Sequence, residues 1–142
     1  MSWQTSIKGF KSYLQIERSL SANSVDAYIR DINKFADYAI PLELNELKIT
    51  RVNISNFLIE LKDENISVRS QARIISGIKA FYKYLIMEDY IKCNPTELIE
   101  SPKIGLKLPD TLSLIEIDKL IQAVDLSSPQ GERNRAIIET LY

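Results

Sequence analysis

The chain has 142 residues, 45% of them hydrophobic and 26% charged, and its 18 Lys+Arg against 19 Asp+Glu leave a net charge of −1. These proportions fit an ordinary globular protein of one domain, or one domain plus part of another, long enough to bury a core without disulfides. With no His and one Cys, the chain cannot supply a Ser-His-Asp or Cys-His catalytic group, nor a zinc site of the Cys/His kind. Neither GxGxxG nor GxxxxGK[ST] occurs, so the common nucleotide-binding loops are missing. No apolar run approaches the roughly 18 residues of a membrane span, and the polar start MSWQTSIKGF has no signal-peptide core. Cys93 has no partner within the chain, which fits a reducing, cytoplasmic setting.

Apolar residues recur with helical period along most of the chain. Trp3, Ile7, Phe10 and Leu14 predict a first helix near residues 4–18. Ser21, Asn23 and Ser24 are all suitable N-caps, and Asp26 suits a first turn. Val25, Tyr28, Ile29, Ile32, Phe35, Ala36 and Ala39 then form the stripe of a second helix over about 23–39, which Pro41 stops. Residues 42–50 read as a loop. Thr50 or Asn53 caps a third helix carrying Ile54, Phe57, Leu58 and Leu61, and Ser67 caps a long fourth helix running to about Met87. No period-two segment is long enough for a strand, so the first 90 residues or so predict a compact bundle of four helices. Pro95, Pro102, Pro109 and Gly105 then mark a linker with one short helical turn at Thr96–Ile99. Ser113 caps a further helix with Ile117, Leu120, Ile121 and Val124 on its apolar side. A last helix begins near Gly131 and reaches Tyr142 without a capping Gly or a basic final turn. Two helices are too few for an independent core, so the pattern predicts that a second domain continues beyond residue 142.

The near-neutral total hides an uneven distribution. Residues 67–87 hold Arg69, Arg73, Lys79 and Lys83 and no acid, a net +4. Residues 37–64 hold three bases against Asp37, Glu43, Glu46, Glu60, Asp63 and Glu64, a net −3. A basic and an acidic face are expected. At about 100° per residue, Ile74, Ile75, Ile78, Phe81, Tyr82, Leu85 and Ile86 gather on one side of the fourth helix. Arg69, Arg73, Ser76, Gly77, Ala80 and Lys83 gather on the other. Small residues between basic ones admit close approach either by a nucleic-acid groove or by another helix. The pI near 5.6 is low for a strongly basic DNA-binding domain.

The segment Leu20-Ser21-x-Asn23-Ser24-x-x-x-Tyr28-x-x-Asp31-Ile32-x-x-Phe35 resembles the opening motif of the tyrosine recombinases, LSxNTxxxYxxDLxxF. Arg73-Ile74-Ile75-Ser76-x-Ile78-Lys79-x-Phe81-Tyr82-x-Tyr84-Leu85 is similar to their RLSxLRxFYxYL helix. Asn94-Pro95, Ser101-Pro102-Lys103, Leu108-Pro109 and Leu112-Ser113 follow in the family's order. Arg133-x-x-Ala136-Ile137-Ile138-x-x-Leu141-Tyr142 resembles the stretch leading into the catalytic domain. The likeness covers essentially the whole chain and is nearest to the chromosomal, Xer-like type. Ser24 stands where the motif more often has Thr, and Ile29 where Arg is frequent.

The resemblance implies an all-α protein with a SAM-like core-binding domain over residues 1–93, a linker over 94–112 and the first part of a catalytic domain over 113–142. It implies a partner, duplex DNA, that the full-length enzyme cuts and rejoins through a 3′-phosphotyrosyl bond and a Holliday junction, without metal or cofactor. Such enzymes act as a tetramer on two DNA sites, with a paired recombinase or accessory protein among the further partners. The family's catalytic residues are expected beyond Tyr142, so none is assigned here, and the fragment alone is expected to be inactive. Tyr142, Arg133 and Arg135 in particular are not assigned as catalytic.

Carried over residue by residue, the expected DNA contacts are Ser24 at a helix N-terminus, then Arg69, Ser70 and Arg73 at the start of the fourth helix. Arg30 is a further contact that Asp26 and Asp31 are close enough to engage, and Lys103 and Lys107 lie in the linker. Ser24 also has a plainer reading as an N-cap. Trp3, Tyr28, Phe35, Phe81 and Tyr82 read as core. The alternative function is a non-enzymatic helical module that binds a protein partner through the acidic 37–64 surface.

Overall fold

A computed structural model describes residues 2–105 and 110–142, and all described regular structure is helical. The helices are α1 (Trp3–Ile16), α2 (Ala22–Ala39), α3 (Arg51–Asp63), α4 (Val68–Met87), α5 (Leu114–Gln122) and α6 (Pro129–Leu141). The chain divides into two compact units, residues 1–105 and 106–142.

Within the first unit, each helix starts where a hydroxyl satisfies a free backbone N–H. Ser2 accepts from the Thr5 N–H, Ser21 from Ser24 and Ser67 from Ser70. At α3, Thr50 and Asn53 do so reciprocally, as a capping box. Thr50 is thus the cap and Asn53 its partner. Asp26 lies beyond the first turn of α2, which holds no acid.

Helix ends are set by left-handed residues. Asn65 and Asp89 adopt φ of 56°, and the N–H groups of Ile66 and Tyr90 reach back to the carbonyls of Leu61 and Leu85 at 3.1 and 2.9 Å. These are Schellman closures. Beyond α2, Glu43 has φ 54° and lets the Leu44 N–H return to the Ala39 carbonyl at 3.1 Å.

The apolar stripes of α1 to α4 meet in one aromatic core. Phe10, Phe35 and Phe81 are fully buried, and Phe57 and Tyr82 nearly so. Phe10 meets Phe81 edge to face at 5.4 Å, and Trp3 lies edge-on to Phe35 at 5.6 Å. A fully buried large apolar side chain contributes about 1.5–3 kcal/mol, so these aromatics supply much of what holds the unit together. Trp3, Phe35, Phe81 and Tyr82 are core, as the periodicity predicts.

The segment between α2 and α3 is not a free loop. The Trp3 indole N–H donates to the Leu44 carbonyl at 2.9 Å, the Ser6 hydroxyl to Glu46 Oε1 at 3.1 Å, and the Tyr82 hydroxyl to the Glu46 carbonyl at 3.2 Å. Glu46 is 1% exposed. It therefore drops out of the acidic surface expected for residues 37–64, and Glu64 of that surface is paired with Lys34 at 2.9 Å.

Residues 95–98 form a turn rather than a helix. Asn94 Oδ1 accepts from both the N–H and the hydroxyl of Thr96, at 2.9 and 2.7 Å. Thr96 and Ile99 are buried, with Ile99 part of the core of the first unit. The proline-rich composition of this stretch thus conceals a packed segment.

In the second unit, Ser113 and Glu116 form a capping box on α5, while Ser128 caps α6 with Pro129 at its first position. Hydrogen bonds from Ser113 hold the Glu116 carboxyl below its usual range. A Cβ on Gly131, in the first turn of α6, would collide with the Asp125 carbonyl, so the turn between the helices packs against α6 only because residue 131 is glycine. Ile117, Ile121, Val124 and Ile138 are half-buried, whereas Leu120, Ile137, Leu141 and Tyr142 are exposed. The two helices thus cover only part of each other's apolar faces.

The left-handed position of Glu43 gives a direct stability prediction. A non-glycine residue there costs about 1–2 kcal/mol, partly offset by the greater freedom glycine has in the unfolded chain. Glu43→Gly should raise the unfolding free energy by about 0.5–1 kcal/mol in urea denaturation. A lower midpoint would show that the Glu43 side chain, not its backbone, dominates at this position.

Candidate nucleic-acid interface

Helices α2 and α4 make the most extensive contact in the first unit, and glycine sets how close they come. A Cβ on Gly77 would lie 2.9 Å from Asp31 Cβ, and Gly77 itself is buried. Of the two readings of the small-residue face of α4, helix packing therefore accounts for Gly77. Its neighbour Ser76 remains exposed.

The close approach buries Asp31 to 3% exposure, with its carboxylate beside the face of α4 that carries Arg73 one turn earlier. Arg73 Nη2 meets Asp31 Oδ1 at 2.9 Å, with the Arg73 side chain still 47% exposed. Burial raises the Asp31 pKa more than the attraction of Arg73, and then of Arg30, lowers it, so it lies above the ordinary 3.8. Charge on this carboxylate is unfavourable because it is buried, and the facing Arg73 offsets part of that cost.

Around this pair lies a shallow groove of about 200 Å³ lined by Ser24, Ala27, Tyr28, Asp31, Arg73 and Ser76. On α2 the lining follows i, i+3, i+4 and i+7, one face of a helix, and on α4 it follows i and i+3. Tyr28 is half-buried rather than fully core. Its ring stands edge-on to Phe10 at 6.4 Å while the residue also lines the groove.

Ser24 is not the N-cap. Ser21 is, and Ser24 sits three residues on, half-buried, with its Oγ 3.0 Å from Ser21 Oγ. Ser70 stands in the same relation to Ser67 on α4, where the Ser67 hydroxyl donates to Ser70 Oγ at 3.0 Å. Neither helix has an acid in its first turn, whereas α5 and α6 carry Glu116 and Glu132 there. The positive ends of the α2 and α4 dipoles are thus not offset by first-turn carboxylates.

Of the residues expected to contact DNA, Ser24 and Arg73 come together in the groove. Arg30, Arg69, Ser70 and Lys103 do not line it. Arg30, Arg69 and Lys103 are exposed and Ser70 half-buried. Lys107 lies outside the described residues. Arg30 does not form the pair expected with Asp26 or Asp31, because Asp31 takes Arg73 across the helix interface. Among the described residues Arg30, Arg69, Lys79 and Lys83 have no ion pair. Asp31, Ala27 and Tyr28 were not expected in the site, whereas Ser76 lies on the face of α4 open to either reading. Their helical spacing from Ser24 and Arg73 was the available signal.

Arg133 and Arg135 are exposed on α6, and Arg135 pairs with Glu139 at 2.9 Å. Among the described residues, no group of three or more His, Cys, Asp or Glu lies together as a metal site, and no helix is long and apolar enough to cross a membrane.

Two predictions follow from the α2–α4 crossing. Gly77→Ala gains helix propensity but must push Asp31 Cβ away, so it should destabilise the first unit by about 1–3 kcal/mol, read as a lowered thermal midpoint. An unchanged or higher midpoint would refute the tight crossing. The Asp31 pKa sets the second. Below the ordinary carboxyl pKa, both folded and unfolded chains hold the Asp31 proton and pH has no leverage. As pH rises through the higher folded value, stability present in acid is lost. Asp31→Asn removes this loss, so its stability advantage should grow from pH 4 to pH 7. A variant that instead loses ground toward pH 7 would show that the ion pair outweighs burial.

Comparison with known proteins agrees with this architecture. Residues 7–89 match the family described as phage integrase, N-terminal SAM-like domain. Tyrosine recombinase XerD of Staphylococcus aureus is 38% identical over 140 residues, which is 98% of this chain and 48% of the relative. XerD of Staphylococcus haemolyticus shows the same identity and coverage. The chain thus spans about half the length of these curated relatives. The integrase from mycobacterium phage Brujita shares the fold at 20% identity, with a TM-score of 0.63 over 84% of this chain and 39% of its own. The chain belongs to the phage integrase family, that of the tyrosine recombinases, through its N-terminal SAM-like domain.

Proposed function

We propose that this chain is the DNA-binding portion of a site-specific tyrosine recombinase and that the α2–α4 face of its first unit lies against duplex DNA. The observation that carries this reading is the convergence of Ser24 and Arg73 in one groove of that face. Arg69, Lys79 and Lys83 on the same helix add positive charge without an ion pair of their own among the described residues. The first-turn N–H groups of α2 and α4, with Ser24 and Ser70 beside them, suit phosphate oxygens. Arg30, Lys103 and Lys107 are further phosphate contacts in this reading.

Residues 1–93 then act as the core-binding domain, 94–112 as the linker and 113–142 as the start of the catalytic domain. The exposed apolar side chains of α5 and α6, and relatives about twice as long, support placing more catalytic-domain chain against that unit. In this reading the whole protein cuts and rejoins duplex DNA through a phosphotyrosyl intermediate and a Holliday junction. It works as a tetramer on two sites, with a paired recombinase or accessory protein as a further partner, and the nucleophile lies outside these residues. A second reading, a helical module that binds a protein, is favoured by the exposure of Val52, Ile59 and Leu98 on the first unit.

Fluorescence anisotropy with a labelled duplex tests the first reading. With 13 basic against 13 acidic residues over 1–102, binding should be weak and best seen at low salt. It should fall steeply as salt displaces the phosphate contacts. An Arg69→Ala/Arg73→Ala double variant should bind on the order of tenfold more weakly. Duplex binding that ignores salt, or that survives the double substitution intact, would refute the assignment of this face.

A further inference from the structure

Arg73 differs from the other cations of its helix in being already engaged. Its partner Asp31 is almost fully buried and is pinned in place by the Gly77 crossing. We propose, resting on the DNA-binding reading above, that Asp31 is a positioning residue that holds the Arg73 guanidinium as a fixed fork for base edges in the major groove. Arg73 then supplies sequence discrimination, and the free cations supply affinity.

If Arg73 left Asp31 for a phosphate, it would strand a buried carboxylate without its counter-charge, and that is strongly unfavourable. A base edge is neutral, so Arg73 can bind it and keep its pair. The guanidinium has five N–H donors. Asp31 is met through Nη2, and the side chain remains 47% exposed, so donors are left for a second planar partner. The carboxylate holds one corner of the guanidinium at 2.9 Å, and the planar fork is itself preorganised, so less rotamer freedom is lost on binding. Guanine, with two acceptors side by side in the major groove, is the base that such a fork fits. The pair carries no net charge, which makes it a poor site for phosphate. Arg69, one turn earlier, has no ion pair among the described residues and suits phosphate better. The small residues Ala27 and Ser76 line the same groove, as does Ser24.

The experiment is selection from a randomised duplex pool with the 142-residue chain, combined with the salt dependence of binding to the unselected pool. The wild type should enrich guanine at one position. Asp31→Asn, which keeps shape and removes charge, should lose that preference on the order of tenfold while the other positions keep theirs. Arg73→Lys should do the same, since it keeps charge and loses the fork. The salt slope should drop by about 0.9 in Arg69→Ala and stay nearly unchanged in Arg73→Ala. Circular dichroism of each variant confirms that it is folded at the assay temperature. A guanine preference that survives Asp31→Asn would overturn the proposal. So would its absence from the wild type, or a slope loss in Arg73→Ala equal to that in Arg69→Ala. Those outcomes leave the DNA-binding reading standing, whereas the absence of any duplex binding overturns both.

Discussion

The approach of α2 to α4 at Gly77 is the constraint from which the rest of the interface follows. Only a residue without a Cβ lets Asp31 seat there. Seating Asp31 buries a carboxylate, and a buried carboxylate needs a positive partner close by. Arg73, on the same side of α4 one turn earlier, meets that need at 2.9 Å. Ser24, Tyr28 and Ser76 line the groove around this pair. The backbone requirement of one glycine is thus converted, through burial and charge, into a defined surface.

Burial pushes the Asp31 pKa up more than its two arginine neighbours pull it down, so the pair adds little net stability. Its contribution is better read as geometric. The aromatic core behind it, built on Phe10, Phe35 and Phe81, supplies the hydrophobic stabilisation that tolerates the charge. Stability and presentation are therefore carried by opposite faces of α4.

Much of this was legible in the sequence. The 3.6-residue stripes marked α1 to α4 and most of their core, because one buried face is enough to set that period. Ser67 and Ser113 marked helix starts because the free N–H groups there need an acceptor. The motif resemblance singles out Ser24 and Arg73, which the fold brings into one groove. What was not legible needed tertiary information. Spacing along α2 offered Arg30 as the partner of Asp31, whereas the partner is Arg73, 42 residues away, across the interface. Glu46 reads as a surface acid, yet Ser6 and Tyr82 reach residue 46 from two helices and bury it. Thr96 and Ile99 read as linker because proline dominates the composition around them, while their side chains are packed. The choice between a groove wall and a helix as the neighbour of Gly77 likewise required α2 to be placed.

The second unit follows different rules. Its helices are well capped but bury little of one another, so their sequence pattern describes a face whose partner is not among the described residues of the unit. The first unit, by contrast, has a continuous core and a surface of mixed character. The most direct test of the account is a nitrogen-15 NMR titration of the chain with duplex DNA. With duplex DNA against the α2–α4 face, the amides of Ser24, Tyr28, Ser70, Arg73 and Ser76, together with the Arg73 Nε signal, should shift along one binding curve. The amides of the acidic region 37–64 should stay in place. Shifts concentrated on that acidic region, with the α2–α4 groove unmoved, would contradict it.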